Sequence, residues 1–331
     1  MPLALGVDLG GTNARAAVVD VDTGEIVAAH KEPLRDRAPA MVVETIRHAL
    51  VAAASAASLE LGSAGSIGVG VAGQCLGASG VVLNAPNLGW RDVAFGDLLR
   101  AAVGVPVRIA NDLSVAAWGE RRFGAARGID DVALVFVGSG VGAGLILGGR
   151  LHEGAQGVAG EFGHLKVRPI RAEGLPRACG CGQRGCLEAY TSGMNVAARV
   201  REEIAAGATT SILALAGNDP GRVSAAIVEE AWRAGDPYAH ALWDEVADLL
   251  GTATANLVTL LNPARLILGG GVLLGCPALV DLVRARFDAA VSRSAMKGLT
   301  VEHAWLGDDA GVVGAAVLAS SRGLRAARTG P

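Results

Sequence analysis

Three of the chain's five cysteines fall at Cys179, Cys181 and Cys186, spaced by glycines, and His164 precedes them in the run Gly160-Glu161-Phe162-Gly163-His164. Three thiolates and one imidazole this close in sequence form a complete tetrahedral ligand set for zinc. A four-ligand site leaves no position for an activated water, so the expected metal is structural. Glu161 and Glu188 bracket the cluster, and a metal pinning the loop between them would aim both carboxylates. Any fold containing this segment must bring residue 164 and residues 179–186 to one point.

The odd number of cysteines, with three assigned to one cluster, argues against a disulfide framework. The 331 residues leave room for two domains and a large core. Only 4% of residues are aromatic, so that core must be built mainly from Ala, Val, Leu and Ile. The 47 glycines exceed the usual share about twofold and fall in strand–turn clusters, which points to tight turns and backbone approach to a ligand. A net charge of −3 gives no electrostatic case for binding nucleic acid or an anionic membrane. No signal-like segment opens the sequence and no apolar run reaches membrane-spanning length, so a cytoplasmic location is expected.

Residues 3–20 read as strand, glycine turn, strand: Leu3 to Asp8, then Leu9-Gly10-Gly11-Thr12-Asn13, then Ala14 to Asp20. A Walker loop or a dinucleotide fingerprint requires a following helix, so here the glycines close a hairpin. Backbone N–H groups in such a turn can still form an anion-binding concavity, with Asp8 placed to hold a divalent cation. An ordinary hairpin is the competing reading. The layout recurs at residues 131–147, around Gly138-Ser139-Gly140, which suggests an internally duplicated fold gripping phosphate.

Other stretches carry weaker signals. Pro39 to Ser58 has the spacing of a one-faced helix, and Gly73 to Trp90 reads as a polar loop through Asn84-Ala-Pro-Asn87, more readily a plain surface loop than the lining of a pocket. Val105 to Ala110 reads as a strand ending in Asn111-Asp112 before a helix over Leu113 to Phe123. Locally, Asp112 suits a helix N-cap better than a catalytic group, although a strand end in an α/β sheet is a common catalytic position. Helices are expected over Ala189 to Ala206, Ser224 to Arg233, Pro237 to Leu261 and Cys276 to Ser292. The strand Arg265 to Leu268 runs into Gly269-Gly270-Gly271, either a plain turn or a place for close backbone approach to a flat ligand. Asp308-Asp309-Ala-Gly311 opens a last helix, and an arginine-bearing tail follows that is expected to be disordered over 324–331.

Taken together, Asp8-Leu-Gly10-Gly11-Thr12, Asn111-Asp112, Gly138-Ser139-Gly140, Gly160-Glu161-Phe-Gly163-His164, Cys179-Gly-Cys181-Gly-Gln-Arg-Gly-Cys186-Leu-Glu188, Leu268-Gly269-Gly270-Gly271 and Asp308-Asp309-Ala-Gly311 resemble the ROK family of sugar kinases and regulators. The resemblance runs from Leu5 to about Ala319 and is most like the bacterial glucokinases. It implies a two-domain α/β fold of the actin-like ATPase type, a duplicated ribonuclease H-like architecture with an interdomain cleft. The small domain is expected at 1–112, joined by a helix at 309–323, and the large domain at 113–308.

The resemblance also implies roles. Asp112 becomes the general base that takes the proton from a hexose 6-hydroxyl. Asn87, Asn111, Glu161, His164 and Glu188 are implied to hold the sugar, with His164 also a ligand of the structural zinc beside Cys179, Cys181 and Cys186. Asp8 is implied to position Mg²⁺ while Gly10, Gly11, Thr12, Asn13, Gly138, Ser139 and Gly140 cradle the phosphates of ATP. Gly270 and Gly271 would lie beside the adenosine. The expected reaction is ATP-dependent phosphorylation of glucose, with N-acetylmannosamine, N-acetylglucosamine, fructose or allose as alternative substrates. A sugar-sensing repressor is the reading from a different class. It is disfavoured because the first strand starts at Leu3, leaving no room for a DNA-binding helix pair, and no basic recognition helix occurs elsewhere. A homodimer is implied by the family alone. The chain departs from many relatives in having Ser139 for threonine, Gly73-Gln74-Cys75 where Gly-Pro is frequent, and extra residues around Arg168 to Arg177.

Overall fold

The structure is a computed structural model that describes residues 2–77, 79–169 and 175–320. The expected tail at 324–331 and the middle of the extra segment after Arg168 lie outside the described residues. The chain divides into two compact units, one of residues 1–133, 144–160 and 304 onward, the other of residues 134–143 and 161–303.

The first unit holds a five-stranded sheet of order β3-β2-β1-β4-β8, made of β1 (Leu3–Leu9), β2 (Asn13–Asp20), β3 (Ile26–Pro33), β4 (Ile67–Val71) and β8 (Val107–Asn111). β1 and β2 form the antiparallel hairpin expected from the glycine turn, with Leu9 opposite Ala14. β4 lies parallel to β1, and β8 parallel to β4. The near-continuous burial of β4 (Ile-Gly-Val-Gly-Val) fits a strand covered on both faces. Helices α1 (Pro39–Ala56), α2 (Phe95–Val103) and α3 (Asp112–Phe123) follow the strands. Residues 73–90, expected as a loop, instead build a small sheet of β5 (Gln74–Leu76), β6 (Val81–Ala85) and β7 (Trp90–Val93) in that order. Its turn-forming residues sit between paired strands, and Trp90 is buried against Phe95 at 4.9 Å between ring centroids.

A second sheet has the order β11-β10-β9-β12-β13, from β9 (Val132–Val137), β10 (Val141–Leu147), β11 (Arg150–Leu151), β12 (Arg265–Gly269) and β13 (Thr300–His303). Its order repeats that of the first sheet, hairpin strands first and later strands after the hairpin's leading strand. The remaining helices are α4 (Glu188–Thr191), α5 (Gly193–Ala205), α6 (Ile212–Leu215), α7 (Ala225–Arg233), α8 (Pro237–Leu261), α9 (Gly271–Gly275), α10 (Pro277–Ala290) and α11 (Ala310–Ala319). The helix expected over 189–206 breaks at Ser192, whose hydroxyl accepts the Asn195 N–H and caps α5. The one expected over 276–292 is preceded by the separate short α9.

α11 belongs to the first unit and packs on β1, β4 and α3 with backbone almost touching backbone. A Cβ on Gly68 would stand 1.9 Å from the Ala315 carbonyl oxygen, and one on Gly314 would stand 1.7 Å from that of Val115. The packing of α3 against α11 carries the first unit past the expected boundary at residue 112. Glu120 of α3, fully buried, accepts the backbone N–H of Ala125 and of Leu306 at 2.8 Å each, which satisfies its charge and fixes the approach to α11.

Gly314→Ala should therefore overpack the α3–α11 contact and destabilise the protein by about 1–3 kcal/mol. The measurement is a denaturant or thermal unfolding curve. Gly62→Ala, where a Cβ meets nothing within 4 Å, is the control that should stay within about 0.5 kcal/mol of the parent.

Candidate active site and metal cluster

The parallel pairing of β1, β4 and β8 brings several candidate residues in the first unit to one edge of its sheet. Leu9 lies opposite Val71, and Val71 opposite Asn111, so the carboxyl ends of the three strands align. That end of a parallel sheet is where α/β folds bind ligands. Asp8 is the residue before Leu9; Gly10, Gly11, Thr12 and Asn13 form the turn beyond it, closed by Gly10 N–H donating to Asn13 O at 3.1 Å. Asn87 meets this turn: a Cβ on Gly11 would stand 2.8 Å from the Asn87 Cβ.

Asp8 sits under the start of α11, with its carboxylate about 3.2–3.4 Å from where a Cβ on Gly311 would lie. Burial pushes its carboxyl above the ordinary value, opposed by Arg15, then reinforced by Asp308 and opposed by Lys31. Arg15 is itself held by the Asp308 carbonyl at 3.1 Å and by Asp309 Oδ1 at 2.5 Å. A carboxylate so placed gains from a cation beside it.

The helix cap at the end of β8 is Asn111 rather than Asp112. Asn111 Oδ1 accepts the N–H groups of Leu113 at 2.9 Å and Ser114 at 3.1 Å, and its Nδ2 donates to the Gly73 carbonyl at 3.1 Å. Asp112 occupies the first helical position, its Oδ1 accepting the Leu113 N–H at 2.9 Å. Both residue types cap well, so the sequence could not separate them. Gly73, at the departure from the Gly-Pro pattern, thus positions Asn111 through its carbonyl. The 73–77 stretch is itself held by close approach: a Cβ on Gly157, at φ +69°, would come 2.3 Å from the Cys75 carbonyl oxygen.

In the second unit the cysteine segment is a compact polar knot. Leu187 N–H donates to Leu165 O at 2.9 Å and Val167 N–H to Gly185 O at 2.8 Å, which lays Lys166 opposite Cys186. One ligand atom from each of His164, Cys179, Cys181 and Cys186 lies within 4.8 Å of the others. Cys181 Sγ and Cys186 Sγ are 3.7 Å apart, far beyond a disulfide's roughly 2.05 Å. An edge of a zinc–thiolate tetrahedron measures about 3.8 Å, from Zn–S bonds near 2.3 Å. His164 turns Nδ1 toward Cys179 Sγ at 3.9 Å and Nε2 toward Glu161 Oε2 at 3.4 Å. A carboxylate on the second ring nitrogen is the usual way a ligating imidazole is oriented.

The thiols split electrostatically. Burial, together with hydrogen bonds to and charge on the other sulfurs, pushes the Cys179 thiol up to about 12 despite a backbone hydrogen bond from Cys181. Cys181 is also penalised by burial, but the Gln183 N–H, the two neighbouring thiols and the Lys166 ammonium outweigh this and pull it down. A cation at the centre would relieve the mutual repulsion of the thiolates. The donor set and its spacing fit a tetrahedral metal ion.

Glu188 links this knot to the glycine turn of the second hairpin. Its Oε2 accepts the Val141 N–H at 2.9 Å, and its Oε1 lies 3.9 Å from Cys179 Sγ. Gly138 N–H donates to Gly140 O at 2.9 Å, closing the turn, and Gly138 O accepts the Gly193 N–H at 2.8 Å. Gly270, at φ +92°, stacks its Cα against β9, where a Cβ would stand 2.4 Å from the Val137 carbonyl oxygen.

A pocket of about 630 Å³ opens in this unit, lined by Gly138, Ser139 and Gly271 from the sequence-predicted set and otherwise mostly by apolar side chains. Phe136, Gly193, Met194, Ala197, Arg201 and Val223 also line it, and none was singled out from sequence. Only their meeting in space marks them, apart from the Ser192-Gly193 helix start.

A model of the ROK family matches residues 4–322. Glucokinase of Streptomyces coelicolor is 35% identical over 96% of this chain and 98% of its own length. An N-acetylgalactosamine kinase of Shewanella sp. is 32% identical over 95% of both chains. Among solved structures, a ROK family glucokinase from Streptomyces griseus, in complex with glucose and AMPPNP, superposes with a TM-score of 0.80 at 36% identity, covering 96% of this chain and 99% of that one. The fold is that of the actin-like ATPase sugar kinases, and the chain belongs to the ROK family.

Proposed function

We propose that this chain is an ATP-dependent hexose kinase that converts glucose to glucose 6-phosphate. What carries the reading is the full-length similarity to glucokinases, in a chain whose candidate catalytic residues lie where parallel strands end. Asp112 acts as general base on the sugar 6-hydroxyl, its carboxylate set in the first turn of α3 by the Asn111 cap. Glu161, His164 and Glu188 meet the ring hydroxyls, since a polyol presents donors that need acceptors. Asn87 and Asn111 complete the sugar contacts, Asn111 through the amide hydrogen not given to Gly73.

Phosphoryl transfer asks mainly for positioning and charge neutralisation. The turns at Gly10–Asn13 and Gly138–Gly140 offer backbone N–H groups to the donor's phosphates, and Gly270–Gly271 pass close to the adenosine. Asp8 helps to hold Mg²⁺, which when bound offsets phosphate charge. His164, Cys179, Cys181 and Cys186 hold a structural zinc that stiffens the loop carrying Glu161 and Glu188. A cytoplasmic homodimer acting without nucleic acid belongs to the same reading; no helix among the described residues is long and apolar enough to cross a membrane. A second reading, a kinase for another hexose such as an N-acetylated one, is favoured by the similarity to the N-acetylgalactosamine kinase and by the departure at Gly73-Gln74-Cys75.

A panel of hexoses in a coupled ADP-release assay should give glucose the highest kcat/KM; preference for an N-acetylated sugar would replace the first reading by the second. Asp112→Asn should lower kcat by about a hundredfold or more with an unchanged melting temperature, and near-normal turnover would remove Asp112 as base. Elemental analysis should find zinc equimolar with protein, and stripping it should lower the melting temperature. A zinc-free preparation of full stability and activity would sink the structural-zinc assignment.

A further inference from the structure

The pocket in the second unit carries one feature that the glycine turns do not account for. Its walls are apolar at Phe136, Met194, Ala197, Val223 and Val272, yet Arg201 also lines it. Among the described residues Arg201 makes no hydrogen bond, ion pair or ring contact. By contrast Arg199, two residues earlier, is held by Glu203 and Glu245. No acidic side chain lines the pocket to pair with Arg201. An unpaired cationic residue in the wall of an apolar slot calls for a partner with a π face or lone pairs.

Helix α5 acts as a ruler for where that partner sits. Gly193, Ala197 and Arg201 follow one another at four-residue spacing along one face. Gly193 touches the glycine turn through its 2.8 Å bond to Gly138 O, so it marks the end of the pocket at the proposed phosphate cradle. Eight residues on, Arg201 stands about 12 Å further along the helix axis. That separation places it at the end remote from the phosphates, where a nucleotide carries its base.

We propose that Arg201 is a base-contacting, specificity-determining residue for the phosphoryl donor, and that it makes this chain selective for purines while tolerant of which purine. The inference rests on the nucleotide-donor reading of this pocket. A guanidinium stacks on any large aromatic ring and donates to the acceptors of a purine edge, N7 in both adenine and guanine and O6 in guanine. The only other side-chain hydrogen-bonding groups lining the pocket are the hydroxyls of Ser139 and Ser224, and Ser224 Oγ accepts the Ile227 N–H as the cap of α7. No carboxylate or amide side chain is present to require adenine's amino group. Guanine and hypoxanthine are therefore accepted beside adenine.

The test compares the parent enzyme with Arg201→Met, which keeps the apolar stem and removes the charge. The parent should use GTP and ITP with kcat/KM within about tenfold of ATP, and CTP and UTP less well. The substitution should raise KM for ATP and GTP about tenfold, with kcat and the KM for sugar within about twofold. Calorimetric titration supplies a readout free of turnover: AMP binding should weaken about tenfold, while inorganic tripolyphosphate binding should not change. Unchanged AMP affinity, or equal weakening of AMP and tripolyphosphate, would overturn the assignment, the latter by moving Arg201 to the phosphates. A parent that rejects GTP and ITP would overturn the tolerance for purines. Were the parent to transfer from no nucleoside triphosphate, the donor reading would fall by itself, and the AMP titration would still decide the contact.

Discussion

The carboxylate of Glu188 is the joint on which the second unit's site depends. One oxygen accepts the Val141 N–H beside the Gly138–Gly140 turn, and the other lies beside the Cys179 thiol. Among the described residues, the loop that holds the cysteines buries few apolar side chains beyond Phe162, Pro169, Cys179, Cys186 and Leu187. Its position is set by polar bonds: a short ladder from Leu165–Val167 to Gly185–Leu187, the cluster of sulfurs, and this one carboxylate. Directional bonds fix orientation more tightly than a nonpolar contact of similar size, which suits a segment proposed to aim Glu161 and Glu188.

The first unit solves the same problem by close packing. Gly68 and Gly314 let α11 approach β4 and α3 at backbone distance, and Gly311 leaves space beside the Asp8 carboxylate. Arg15, anchored by the Asp308 carbonyl and the Asp309 carboxylate, opposes the larger effect of burial on the Asp8 carboxyl. The motif Asp308-Asp309-Ala-Gly311 therefore has a physical content: a backbone carbonyl and one carboxylate that hold Arg15, and a glycine that makes room for Asp8.

What could be read from the sequence was local chemistry. The ligand spacing of His164 and the cysteines, the strand–glycine–strand hairpins, and the long apolar face of Pro237–Leu261 all reappear in the fold. Short strands set among turn residues were hidden. β5, β6 and β7 are short and separated by Gly77, Gly80, Pro86 and Gly89, so turn chemistry concealed a sheet whose register depends on partners across those turns. Asn111 and Asp112 have nearly equal capping power, and the Gly73 carbonyl that holds the Asn111 amide comes 38 residues earlier. Arg201 left no mark in the sequence, because a basic residue on a helix usually faces water. Its meaning comes from the apolar walls around it.

The covering of β1 and β4 by α11 has a consequence for biosynthesis. Strands made in the first quarter of the sequence lie under a helix at residues 310–319, every residue of which except Gly311 is buried. A nascent chain cannot complete its first unit until that helix has left the ribosome. Throughout translation the face of β1 and β4 that receives it stays open, with Gly6 and Gly68 exposing bare backbone there. The second unit's segment at 161–303 is synthesised earlier and belongs to the other compact unit. The order of synthesis and the order of assembly are thus reversed, and loss of the last helix would leave the earliest-made strands without their cover.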